Sequence, residues 1–224
     1  MQTNAISSFE ITTLISRLGL RQGPQPALTP DAERSRWDLG ALSGRLAELS
    51  SDGACALMSA TVPLILQAQR RGEPVAWVSA GPSTFHPPDM AQSGVDLAAF
   101  PIVRVRDSRE AVRAADKLLR SGAFAVVVLD LGRDHNIPIP VQSRLAGLSN
   151  KHHSLLLFLT KKKHDDPSIG SLVSLRAETR ARRAGVTGTV AFDRFTWEIR
   201  AIKDKRDGPG WTHEEICRGP EGLC

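Results

Sequence analysis

Residues 123–131 read AFAVVVLDL and residues 154–160 read SLLLFLT, two nearly unbroken apolar runs. Each is flanked by segments of helical periodicity. Strands buried on both faces look like this, because helices cover the two sides of a parallel sheet. Working outward, Ser108 is placed to cap a helix with Ala111, Ala115, Leu118 and Leu119 on its apolar face and Gly122 at its end. Val141–Leu148 gives another helix. Upstream, Leu46–Leu49 reads as the first strand, 50–53 as a turn, and 54–71 as a helix. PVAWVSA (74–80) and FPIVRV (100–105) supply two more strands. Beyond Thr160 the pattern changes: 171–183 alternates weakly and 189–205 more clearly, through Val190, Phe192, Phe195, Trp197, Ile199 and Ile202. These read as antiparallel strands added to one edge. The expected fold class is α/β: three layers around a mixed, mainly parallel sheet with antiparallel edge strands. No internal repeat is visible.

The chain has 224 residues, 41% hydrophobic and 24% charged, which suits one soluble domain plus a tail. Its net charge of +5 permits an acidic partner without requiring one. Three cysteines, Cys55, Cys217 and Cys224, are too few and odd in number for a secreted disulfide scaffold. The stretch after Met1 lacks the basic and apolar regions of a signal peptide, and 54–68 is too short to span a membrane. A soluble, cytoplasmic protein is expected. Residues 1–36 read as a separate amphipathic helix and linker, and 37–224 as the core with a short tail. Ile11, Leu14, Ile15 and Leu18 form one apolar stripe ahead of GPQPALTPD (23–31). Such a short helix must dock, on its own core or on a partner.

In an α/β sheet the ligand site lies at the carboxyl ends of the strands. There, SSDGACALMS (50–59) occupies the place of a phosphate-binding loop. Such a loop needs glycines to wrap a phosphate, a lysine for the β- and γ-phosphates, and a hydroxyl for magnesium. Only Gly53 survives; the loop ends Ala56, Leu57, Met58, and the chain has no Gly-Lys dipeptide. Each missing charge-assisted hydrogen bond forgoes ~1.5–3 kcal/mol. Leu57 and Met58 gain about as much by burial. The segment is therefore expected to fold inward and fill the nucleotide position, with no cofactor bound.

GRLAELSSDG (44–53), AQRRGEPVAWVSA (68–80), KLLRSGAFAVVVLDLG (117–132) and SLLLFLT follow in an order that resembles the core of RecA-type recombinases. The stretch 199–222, with its Lys203-x-Lys205 pair, is similar to the late part of that core. The resemblance spans roughly 37–222. It implies that Asp130 matches the magnesium-side aspartate, that Gly81 stands where active recombinases place a water-activating glutamate, and that Leu57 and Met58 replace the phosphate-loop lysine and hydroxyl. The two DNA-binding loops of the recombinases shrink to GRDHNIPIP (132–140) and KKKHDDPSIG (161–170). A RecA-like core without a nucleotide site is similar to the ImuA family of bacterial DNA-damage-induced mutagenesis. That resemblance implies a non-catalytic accessory protein working with RecA and with ImuB, an inactive Y-family polymerase relative. A weak ATPase or a DNA-binding recombinase paralogue is the alternative, and self-association through the N-terminal helix is a further expectation.

The basic residues gather late: Lys161, Lys162 and Lys163; then Arg176, Arg180, Arg182 and Arg183; then Lys203, Lys205 and Arg206. Placed in or beside the antiparallel edge, they suit an acidic protein surface, DNA phosphates, or a solvated edge that resists aggregation. The chain has no tyrosine, and only Trp197 and Trp211 lie near these charges, which disfavours single-strand stacking. The histidines show no metal-ligand spacing and there is no CxxC. No GxSxG elbow is present either.

Overall fold

Alternate residues of the two apolar runs face opposite sides of a sheet. Val126, Val128, Leu155, Leu157 and Leu159 join one core cluster; Val127, Leu129, Leu131, Leu156 and Phe158 join another. The structure, a computed structural model, describes residues 35–52, 56–133, 136–183 and 194–218. Eight strands run through it: β1 Leu46–Ser51, β2 Val75–Ala80, β3 Ile102–Val105, β4 Val126–Gly132, β5 Leu155–Lys161, β6 Leu175–Arg183, β7 Arg194–Asp204 and β8 Thr212–Arg218. The helices are α1 Leu39–Leu42, α2 Leu57–Arg70, α3 Pro87–Gln92, α4 Ser108–Ser121 and α5 Ile139–His152. All strands form one sheet in the order β3-β2-β4-β5-β1-β6-β7-β8. The pairs from β3 to β6 are parallel, and β6–β7 and β7–β8 are antiparallel.

Helices α1, α2 and α3 put Leu39, Leu42, Leu57, Leu64, Ile65 and Met90 into the first cluster. Helices α4 and α5 put Ala111, Val112, Ala115, Leu119 and Leu145 into the second. The expected three-layer α/β arrangement therefore holds, with the mixed sheet in the middle. Among the described residues no helix is long and apolar enough to cross a membrane.

The differences are local. The sequence pattern makes β6 antiparallel to its neighbours, yet it pairs parallel with β1 and antiparallel only with β7. The cause is the connection from β5, which returns the chain to the amino end of the sheet before β6 begins. Arg45, at the start of β1, holds that end together. Its guanidinium donates to the Ser174 hydroxyl and carbonyl and to the Asp204 carboxylate, which also accepts from Trp211 Nε1 at 3.1 Å. Strand β8 and helix α3 escape the sequence reading. Residue Asp107, not Ser108, caps α4, accepting from the Glu110 N–H at 2.8 Å. A carboxylate at a helix N-terminus satisfies an orphan N–H and meets the positive end of the dipole. Helix α4 ends at Gly122 with φ 68°, where a Cβ would also lie 2.7 Å from His152 Nδ1.

Candidate functional site

Strand β1 ends at Ser51 and α2 starts at Leu57, so the junction expected to resemble a phosphate loop is the carboxyl end of a central strand. Gly53 lies outside the described residues. The cap position of α2 is Ala56, which offers no side-chain hydrogen bond. Ala56 and Leu57 are buried, Leu57 to 1% exposure, in the cluster that also holds Trp37, Ile65 and Trp77. Met58 is half-buried against the same cluster. Trp37 closes over the helix, donating from Nε1 to the Ala60 carbonyl at 2.8 Å. Removing a leucine from water is worth ~1.5–3 kcal/mol. A polar lysine in that position would have to give this up.

Asp130, two residues before the end of β4, is 1% exposed. Its Oδ2 accepts from the Ser83 hydroxyl at 2.7 Å, the Thr84 N–H at 2.7 Å and the Thr84 hydroxyl at 3.0 Å. The Ser83 oxygen in turn accepts from the Phe85 N–H at 3.1 Å. One carboxylate oxygen thus pins the loop after β2, a job the sequence reading did not give it. Its Oδ1 is buried without a hydrogen-bond partner among the described residues. Gly81, at the start of that loop, has φ 74°. A side chain there would adopt the left-handed region that L-residues avoid, so a glutamate would be strained at this position. Among the described residues no three His, Cys, Asp or Glu side chains converge as a metal set.

The late basic residues separate into different jobs. Lys162 is inside the protein: its side chain is 2% exposed and its Nζ lies 2.8 Å from Glu48 Oε1, on a carboxylate 0% exposed. Glu48 also accepts from the Thr160 hydroxyl, the Ser168 hydroxyl and the Ile169 N–H, at 3.1, 2.8 and 2.9 Å. This knot fastens the charged loop 161–170 onto β1, and Lys162 is therefore unable to reach a partner. Arg176, also buried, donates to the Lys163 and Asp166 carbonyls of the same loop. Lys161 and Lys163 are exposed at the carboxyl end of β5.

Arg180 and Arg182 share one face of β6 with Glu178, their register partners on β7 including Glu198. They pair with those acids at 3.1 and 3.2 Å, so the face is charge-mixed rather than basic. Burial tends to raise the Glu178 pKa, but bonds from His164 and Arg180 outweigh it and hold the carboxyl below its usual range. The side chain of Arg183 lies outside the described residues. Lys203 and Lys205 sit towards the opposite, amino end of the sheet, beside Arg176 and Ser174. Burial, and then the Lys205 charge, depress the Lys203 pKa, while Lys205 donates to the Ser171 carbonyl at 2.6 Å. The three runs thus do not form one patch.

The sequence reading missed Arg106, Arg109, Arg113, Arg133 and Arg144, which the structure groups with the already named Lys161. Arg106, Arg133 and Lys161 line a cavity of about 400 Å³ at the carboxyl ends of β2, β4 and β5. Arg109, Arg113 and Arg144 line a neighbouring cavity of about 720 Å³ between α4 and α5. The usable signal was the i,i+4 spacing of Arg109 and Arg113, which places both on one face of a helix. The stripe Ile11, Leu14, Ile15 and Leu18 lies outside the described residues. No protein-family model matches the chain, and no curated protein matches it in sequence.

Proposed function

We propose that this chain is a non-catalytic accessory module with a RecA-like core, acting through protein contacts in bacterial DNA-damage-induced mutagenesis and translesion synthesis. RecA and an ImuB-like polymerase relative are its proposed partners. The observation that carries this reading is the β1–α2 junction, where Ala56 and Leu57 sit in the core in place of phosphate-binding groups. Gly81, left-handed and without a side chain, supports the same reading, since it offers no group to activate water, and Asp130 Oδ2 is taken up by Ser83 and Thr84 rather than left for magnesium.

The proposal is tested by mixing the full chain with RecA. Binding that is lost in a Leu14→Asp, Leu18→Asp double variant, with strand exchange inhibited by excess wild-type chain, is the expected result. Unchanged RecA affinity in the variant, or unaltered strand exchange with excess chain present, rejects it. A second reading, a weak magnesium-dependent ATPase, draws on the unpartnered Oδ1 of Asp130. Phosphate release that Asp130→Ala abolishes would favour that reading instead.

A further inference from the structure

The two cation-lined cavities adjoin at Asp107, which lines both. Among the described residues, six cations and one carboxylate line them together. Like charges gathered in a concave site repel one another and draw in opposite charge. Part of this set is already balanced: Arg106 pairs with Glu110, and Arg144 is held by Asp116, with Nε 2.7 Å from Oδ1. Among the described residues, Arg109, Arg113, Arg133 and Lys161 have no ion-pair partner. The Arg144–Asp116 contact is a charge pair without hydrogen-bond geometry, Asp116 Oδ1 having no hydrogen-bond partner among the described residues, so the guanidinium N–H groups remain for a ligand.

The larger cavity has an apolar component that a simple phosphate site lacks. Val112 of α4 and Pro138 and Val141 at the start of α5 line it together with the arginines. Ile139, in the same first turn of α5, is 63% exposed, one of three exposed large apolar side chains among the described residues. Among the described residues no aromatic side chain lines either cavity, so unstacked bases would find no platform there. The Asp107 carboxylate at the join would also repel a continuous phosphate backbone. Guanidinium groups beside an aliphatic surface match carboxylates carried beside an aliphatic side chain.

We propose that this cleft docks an acidic peptide segment of a partner protein. An aliphatic side chain seats against Val112, Pro138 and Val141, and flanking carboxylates are clamped by Arg109, Arg113 and Arg144. The site is on the α4/α5 face of the sheet, apart from the β1–α2 junction, and the proposal stands whether or not that junction binds nucleotide.

The test pans a random-peptide phage library against the full chain, then measures the enriched peptides by fluorescence anisotropy. The expected winners carry at least two carboxylates flanking a leucine, isoleucine or valine. Their affinity falls about tenfold or more in an Arg109→Glu, Arg113→Glu variant, as for charge reversal at an interface. The Arg109→Glu change falls in the first turn of α4 and suits the helix dipole, whereas Arg113→Glu lies one turn on beside other acids, so the variant's unfolding curve checks that it remains folded. An Arg144→Gln variant, which keeps the helix face intact, should weaken the same peptides. Three results would overturn the proposal: no enrichment of acidic sequences, enriched peptides that bind both variants as tightly as wild type, or full displacement of the peptide by a single-stranded oligonucleotide whose own binding depends on Arg109 and Arg113.

Discussion

Replacing Lys162 by methionine removes a charge from inside the protein while nearly preserving its shape. In the wild type, Lys162 Nζ meets Glu48 Oε1 at 2.8 Å and the Pro167 carbonyl at 2.9 Å, with both charged side chains almost wholly shielded from water. The variant leaves Glu48 buried with only the Thr160 hydroxyl, Ser168 hydroxyl and Ile169 N–H as donors. Breaking one side of a buried pair costs about 3–5 kcal/mol. The three remaining donors place this case at the lower end, near ~3 kcal/mol. With a urea slope of ~1–3 kcal/mol/M, the midpoint drops by roughly 1–3 M at unchanged slope. Adding Glu48→Gln, which removes the orphaned charge, should recover most of the loss, giving strong non-additivity in a double-variant cycle. A Lys162→Met cost below ~1 kcal/mol, the value of an exposed pair, would refute the reasoning. So would a double variant no more stable than the single one.

Other outcomes follow from the same structure. Leu57→Ala should destabilise the fold by ~2–5 kcal/mol, as for a buried leucine left as a cavity; a urea midpoint within error of wild type would place Leu57 outside the core. Acid sensitivity comes from Asp204 and Glu178. Burial raises both pKa values, but Arg45, the Arg206 N–H and Trp211 at Asp204, and His164 and Arg180 at Glu178, more than reverse it. A carboxyl depressed in the folded state contributes stability above its unfolded pKa of about 4 and loses it as pH falls through the lower folded value. Stability should thus be level near neutrality and decline below about pH 4, and Glu178→Gln should flatten part of that decline in thermal unfolding across pH. An identical acid slope in the variant would assign the effect elsewhere.

The layered fold was readable because β4 and β5 are buried on both sides, and such strands have a distinctive all-apolar composition. The burial of the β1–α2 junction was readable for a related reason: Ala56 and Leu57 are apolar residues where a helix begins to pack on the sheet. Charge was harder. Three consecutive lysines look alike in sequence, yet Lys162 is buried because Glu48, more than a hundred positions earlier, awaits it on β1. The alternation of Glu178 with Arg180 and Arg182 was in plain view, but its neutralising effect depends on Glu198 arriving from β7. The cleft between α4 and α5 needed the fold itself. Its arginines come from separate segments that only the parallel crossovers bring to one end of the sheet.

We propose that the junction after β1 packs the core instead of binding nucleotide. Titration calorimetry of the full chain with ATP and magnesium tests it most directly. No saturable heat is expected. A saturable binding isotherm that Asp130→Ala removes would contradict it.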